Sequence, residues 1–340
     1  MIINNPKICN GDNAVSLLVQ VSSAPGNFHR RRAIRDTWGG TSPLDASDAK
    51  LLFLLGNPRD SRIQTQVVEE SRTHGDILQE DFVDSYMNLT IKSVMGLKWA
   101  STHCPQARFL MKTDDDMFIN VPSLLTYLQE ASASTWITGC IKQKKAFMPV
   151  NADPGVSLPP GHPPFVAGAG YVISGDLVGA LYTASLRRRP IPVEDVYVTA
   201  HLARAVGVTS PVHDARFSCG EMVVDDCDLA QAFTGHRISP ERMYHIWEKL
   251  NPNGITSPAS TSESRTLRET PSPSAAEVTA LQVHYLAVVY KRPNMKFVFS
   301  DSYTNGAFIS SPNKGMSSNF RLKIIVSIGL LFKRLFTECS

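Results

Sequence analysis

Three consecutive carboxylates, Asp114, Asp115 and Asp116, follow an apolar run of Phe109, Leu110 and Met111 and precede a second run from Met117 to Ile119. Adjacent carboxylates repel one another, and at the end of a buried strand they cannot all be freely hydrated. A divalent cation or a set of hydrogen-bond donors relieves that repulsion, and the carboxyl ends of strands are where α/β sheets gather ligands. The competing reading is an acidic turn that caps the next helix. A second acidic pair, Glu194 and Asp195, follows Pro190 and Pro192 and opens an apolar-periodic stretch to Val206. Two carboxylates in the first turn of a helix complement its dipole, or one of them lies over a pocket as a general base. Gly168-Ala169-Gly170-Tyr171 leads into Val172 and Ile173. It reads either as a tight turn before a strand or as a place where backbone approaches another group closely.

The elements that must position these groups alternate. Val15 to Val21 and Leu51 to Leu55 are apolar runs, the pattern of strands buried on both faces, and Asp76 to Gln79 reads as a short strand. Between them, Phe28 to Trp38 has helical spacing and ends at Gly39-Gly40, while Ile63 to His74 reads as a polar helix closed by Gly75. Leu89 to Ala100 is helical, the strand at 108–113 follows, and Val121-Pro122 opens another helix with proline in its first turn. Strand and helix in alternation predict an α/β fold with a mainly parallel sheet flanked by helices. Residues 141–165 are proline-rich and loop-like. The organisation predicted is a short N-terminal remnant (1–14), a domain over 15–250, a Ser/Thr/Pro-rich linker over 251–280 and a tail over 281–340 with no assigned chemistry.

Of 340 residues, 43% are hydrophobic and 19% charged, ordinary for a globular chain with a substantial core. The net charge of +3 is uneven: residues 1–250 hold 24 Lys+Arg against 26 Asp+Glu, and residues 251–340 hold 10 against 5. A neutral body carries no nucleic-acid footprint. Arg187-Arg188-Arg189 and the lysines of 142–145 read as solvated loops. None of the six cysteines forms a Cys-x-x-Cys zinc pair. Among the four cysteines of the body three pairings are open, Cys219 with Cys227 being the most local. Asn88-Leu89-Thr90 is an N-glycosylation sequon, a triplet that also arises by chance. No run approaches the ~20 apolar residues of a membrane span, and a membrane-anchoring N-terminal segment is expected to lie outside this sequence.

Four motifs stand in register: Arg31-x-x-Ile34-Arg35-x-Thr37-Trp38, Lys112-Thr113 before the three aspartates, Pro163-Pro164-Phe165-x-x-Gly168-x-Gly170-Tyr171, and Glu194-Asp195-Val196-Tyr197. Over about residues 15–250 this set resembles the β1,3-glycosyltransferase family of galactosyl-, N-acetylglucosaminyl- and fringe-type enzymes. The resemblance implies a GT-A-type fold and inverting transfer from a UDP-sugar donor to a glycolipid or glycoprotein glycan, helped by Mn²⁺, in the Golgi lumen. It places Asp116 on the metal, with Asp114 on the metal or on sugar and ribose hydroxyls, and His236 completing the site; a surface histidine is the alternative for His236. It puts Arg31, Arg35, Lys112, Asp115, Gly168, Gly170 and Glu194 around the nucleotide-sugar and makes Asp195 the catalytic base. Arg31 and Arg35 read equally well as helix-surface arginines.

His74 to Gln79, Asp84 to Thr90 and His103-Cys104-Pro105 look most like the ganglioside-directed members. That implies UDP-galactose as donor and a GM2-type N-acetylgalactosamine terminus as acceptor. Glu194, rather than aspartate, before Asp195 also resembles the galactosyl members. The chain departs from the family at Thr199, where the motif usually ends in glycine, and in the loop before Phe165, which lacks a Lys-Trp-Tyr-type segment. A β-branched residue at 199 argues against a left-handed backbone there. A β1,3-N-acetylglucosaminyltransferase and a glycan-binding protein without turnover remain the rivals. Phosphoryl transfer is excluded by the lack of a phosphate-cradling glycine loop after the first strand.

Overall fold

The computed structural model describes residues 1–10, 15–40, 44, 48–131, 134–142, 163–220 and 226–251. The expected linker, the tail and most of the loop before Phe165 lie outside these residues.

The first half alternates as its apolar runs dictate. It comprises β1 (Leu17–Ser22), α1 (Phe28–Asp36), β2 (Ala49–Asn57), α2 (Ser61–His74), β3 (Ile77–Val83), α3 (Leu89–His103) and β4 (Phe109–Asp114). Asp60 caps α2 by accepting from the backbone of Arg62, and Gly75 closes it in the left-handed conformation at φ 66°. The second half has β5 (Phe118–Ile119), α4 (Val121–Glu130), β6 (Ile137–Lys142), β7 (Phe165–Ser174) and α5 (Gly175–Ser185). Then come α6 (Glu194–Val196), a π-helical segment (Tyr197–Leu202), α7 (Ala203–Ala205), β8 (Val212–His213), α8 (Asp226–Gln231), β9 (Thr234–Gly235) and α9 (Pro240–Leu250).

Among the described residues seven strands form one sheet in the order β3-β2-β1-β4-β7-β6-β8, and β5 pairs with β9 in a separate ribbon. The pairs among β1, β2, β3 and β4 are parallel, while β7 runs antiparallel to both β4 and β6. Alternation within β1 divides the core. Leu17, Val19 and Val21 face the layer of α1, α4 and α9, and Leu18 faces that of α3, α5 and the π segment. A mainly parallel sheet flanked by helices is therefore the architecture, as expected of a GT-A-type fold. Among the described residues no helix is long and apolar enough to cross a membrane.

Three expectations change. Gly168 and Gly170 lie inside β7, not in a turn before it. Cys219 pairs with Cys140, not with Cys227, and Cys9 pairs with Cys104. Proximity in sequence misled because β6 and the 217–220 loop meet only through the sheet. Residues 1–10, expected outside the domain, are fastened to it. Ile2 donates to Gln79 O at 2.7 Å, the Trp99 indole donates to Asn4 Oδ1 at 2.9 Å, and the Cys9–Cys104 bridge anchors the segment. This segment covers the exposed edge of β3, which would otherwise present unpaired backbone.

Candidate active site

The chain runs outward from β1 through β2 to β3 and then returns to place β4 on the other side of β1, so the strand order reverses between β1 and β4. Ser22 pairs with Asp114 across that switch point, and the three aspartates sit at its carboxyl end, the position where open α/β sheets hold ligands. The fold treats each carboxylate differently. Asp114, one-third exposed, accepts from Lys112 Nζ at 2.7 Å. Asp115 is buried, accepting from Ser23 Oγ at 2.7 Å and Asn27 Nδ2 at 2.8 Å, so it fastens the β1–α1 loop instead of facing an open cleft. Asp116 stays accessible, 3.8 Å from both Arg30 Nη1 and His236 Nε2.

The β5–β9 ribbon brings His236 to Asp116. Phe118 pairs with Gly235, and Ile238 N donates to Asp116 O at 2.8 Å. The imidazole Nδ1 lies 2.9 Å from Gly220 O. A carbonyl partner there accepts from Nδ1–H, which orients the ring with Nε2 toward Asp116. The Cys140–Cys219 bridge holds the loop that supplies this carbonyl. A carboxylate oxygen and an oriented imidazole nitrogen suit Mn²⁺. Among the described residues no group of three or more His, Cys, Asp and Glu side chains that could hold a metal ion occurs.

Across the switch point, β7 and α6 carry the second acidic pair. Adjacent helical residues point in different directions, and here the two carboxylates divide accordingly. Glu194 is buried and accepts from the Tyr171 hydroxyl at 2.7 Å and the Ser93 hydroxyl at 2.9 Å, with Lys112 Nζ at 3.5 Å. Asp195 is only partly buried, accepting through Oδ2 from Gly168 N at 3.1 Å and through Oδ1 from Val196 N at 2.9 Å. A Cβ at Gly168 would lie 3.3 Å from Asp195 Cβ, tighter than ordinary contact, which explains a glycine within this strand. Gly170 lies directly opposite Thr113 of β4. Burial, and after it the charge of Glu194, push the Asp195 pKa up to about 6. Lys112 donates to Asp114 and to Gly168 O, both at 2.7 Å, joining the two acidic clusters. Burial opposes its charge, but Asp114 and Glu194 outweigh that and hold its pKa above the usual lysine value. Burial raises the Asp114 pKa, and the pull of Lys112 does not fully offset it.

Arg31 and Arg35 stand apart from this cleft. Arg31 is fully buried, paired with Glu70 at 2.7 Å and donating to Ser23 Oγ and to the carbonyls of Ala24 and Pro25. Arg35 bridges Glu70 and Asp76, each at 2.7 Å. Their expected place at the nucleotide is thus replaced by an inward one: Arg31 braces the loop whose Ser23 holds Asp115. Lys92, which no motif singled out, supports the same loop by donating to Ser23 O at 2.7 Å while pairing with Asp84 at 2.9 Å. Its signal was available, since Lys92 shares a helical face with Gly96 and Ala100, both buried. Asn88 donates to Val83 O at 2.8 Å, and Thr90 is buried with its hydroxyl donating to Ile191 O.

Comparison with known proteins places this site in context. The family model described as Galactosyltransferase matches residues 29–214. Beta-1,3-galactosyltransferase 1 of Homo sapiens is 35% identical over 261 residues, 74% of this chain and 78% of that protein. Beta-1,3-galactosyltransferase 2 of Homo sapiens is 33% identical over 267 residues, 74% of this chain and 62% of that one. A crystal structure of the galactosyltransferase LgtC with donor and acceptor sugar analogues covers 69% of this chain and 96% of that chain at 12% identity and a TM-score of 0.36, a likeness too loose to add to the fold described above.

Proposed function

This chain belongs to the galactosyltransferase family, and from that premise we propose that it transfers galactose from UDP-galactose, with inversion, in β1,3 linkage to a glycan. The observation that carries the reading is the division between Glu194 and Asp195. One carboxylate is locked inside by Tyr171, Ser93 and Lys112, and the other, its pKa about 6, is left at the cleft. A base with that pKa is mostly ionised near neutrality yet still basic enough to take a hydroxyl proton in the transition state. Asp195 accepts the proton of the acceptor hydroxyl as its oxygen attacks the anomeric carbon opposite the UDP leaving group. Asp114, held by Lys112, binds sugar or ribose hydroxyls. Asp116 and His236 would hold Mn²⁺, which when bound would supply positive charge for the departing diphosphate.

A GM2-type N-acetylgalactosamine terminus is the proposed acceptor and the Golgi lumen the proposed compartment. Two disulfides among the described residues suit an oxidising environment of that kind. UDP release measured with UDP-galactose and UDP-N-acetylglucosamine against a panel of glycan acceptors tests the reading. Release is expected with UDP-galactose and an N-acetylgalactosamine-terminated acceptor together. Preference for UDP-N-acetylglucosamine would transfer the assignment to the N-acetylglucosaminyl members, and glycan binding without any release would leave a lectin-like protein.

A further inference from the structure

β7 is longer than its partner on one side. Its pairing with β4 runs from Ser174 opposite Phe109 to Gly170 opposite Thr113 and stops there, so residues 165–168 overhang the end of β4. Backbone N–H groups two apart on a strand point the same way, and two in this overhang, those of Val166 and Gly168, meet the helix that begins at Glu194. Gly168 N donates to the Asp195 carboxylate at 3.1 Å. Val166 N donates to Thr199 Oγ1 at 2.8 Å, and the same hydroxyl donates to Asp195 O at 2.6 Å. Thr199 is 1% exposed and lies within the π segment Tyr197–Leu202, where the widened turn begins just after the acidic pair. One buried hydroxyl therefore ties the backbone of Asp195 to the strand that also binds its side chain.

The geometry assigns to Thr199 the role of a positioning residue: its hydroxyl clamps the π-helical segment to the β7 overhang and so sets where the Asp195 carboxylate stands in the cleft. The inference rests on Asp195 being the base. It also gives a function to the residue at which this chain departs from the motif it otherwise shares. A glycine there would supply neither the donor to Asp195 O nor the acceptor for Val166 N. Without the hydroxyl both backbone groups lose a buried partner, the helix start loosens from the strand, and the partly buried carboxylate becomes more exposed to water.

Carboxyl-carbon NMR titration of the full chain labelled at aspartate reads this directly, with the Asp195 resonance identified by its loss in Asp195→Asn. Thr199→Val keeps the shape and removes the hydroxyl, and Thr199→Ser keeps the hydroxyl. In Thr199→Val the Asp195 titration is expected to fall from about 6 toward the ordinary aspartate value of ~4, with Thr199→Ser close to the unaltered protein. In the UDP-release assay with UDP-galactose and an N-acetylgalactosamine glycoside, kcat should drop ~10- to 10²-fold in Thr199→Val, with the acid limb of the pH profile displaced downward and Thr199→Ser restoring both. A Thr199→Val protein that titrates like the unaltered one overturns the inference, as does a displacement shared equally by Thr199→Ser. If the unaltered protein releases no UDP, the functional reading fails, and the titration still decides whether the clamp exists.

Discussion

Asp195→Asn is expected to leave the protein folded and able to bind UDP while removing nearly all transfer, a loss of ~10²–10⁴ in rate, or roughly 3–5 kcal/mol of barrier. Asparagine occupies the same space and its carbonyl oxygen can keep the bond from Gly168 N, so the β7–α6 contact survives. What disappears is the proton acceptor. The pH dependence provides a second view of the same group. A base must be unprotonated to act, so kcat/KM should fall about tenfold per pH unit below a limb near pH 6, the value to which burial and Glu194 raise Asp195. Kinetics of the purified variant and a pH profile of the unaltered protein check both. Retention of transfer within about threefold, a cost well under 1 kcal/mol, removes Asp195 from the chemistry. Glu194 would be a poor substitute, because its carboxylate is enclosed by Tyr171, Ser93 and Lys112.

Chelation should have a comparable effect. Without a divalent ion the diphosphate leaving group loses stabilisation worth several kcal/mol, a loss of ~10²-fold or more in rate. EDTA is expected to abolish transfer and added Mn²⁺ to restore it. Asp116→Ala should lose both the activity and the response to Mn²⁺. The variant should fold, since Asp116 keeps its backbone bond from Ile238 N and its side chain is accessible. Mn²⁺ binding followed by electron paramagnetic resonance in the presence of UDP gives a readout independent of turnover. Full activity in excess EDTA, or an Asp116→Ala protein that binds Mn²⁺ and turns over normally, contradicts the assignment of Asp116 and His236.

Much of this arrangement was legible in the residues. The apolar run Leu51 to Leu55 of β2 and the largely apolar β1 point to burial on both faces, and Gly75 at the end of a polar helix matches the left-handed cap observed there. The three aspartates were legible as the end of a strand, and Glu194 and Asp195 as the first turn of a helix. Other features depend on contacts that no local pattern encodes. β6 carries Thr138, Gly139 and Cys140 and has a register shift at Gly139, so it lacks the run that announces a strand. Arginines spaced along α1 do not reveal whether they face a nucleotide or a half-buried Glu70 more than thirty residues away. Lys92 of α3, Arg31 of α1 and Asp115 after β4 converge on the loop at Ser23, and only the folded chain shows that they share it.

The stereochemistry of the product tests the central claim most directly. UDP-galactose carries its sugar in the α configuration, and a single displacement with Asp195 drawing off the acceptor proton must deliver the β anomer at the acceptor's 3-hydroxyl. Proton NMR of the isolated product, made from UDP-galactose and an N-acetylgalactosamine glycoside, should show the large trans-diaxial coupling of a β-galactoside and a linkage shift at carbon 3. An α-linked product, attachment at another carbon, or no galactosylated product at all would contradict the account.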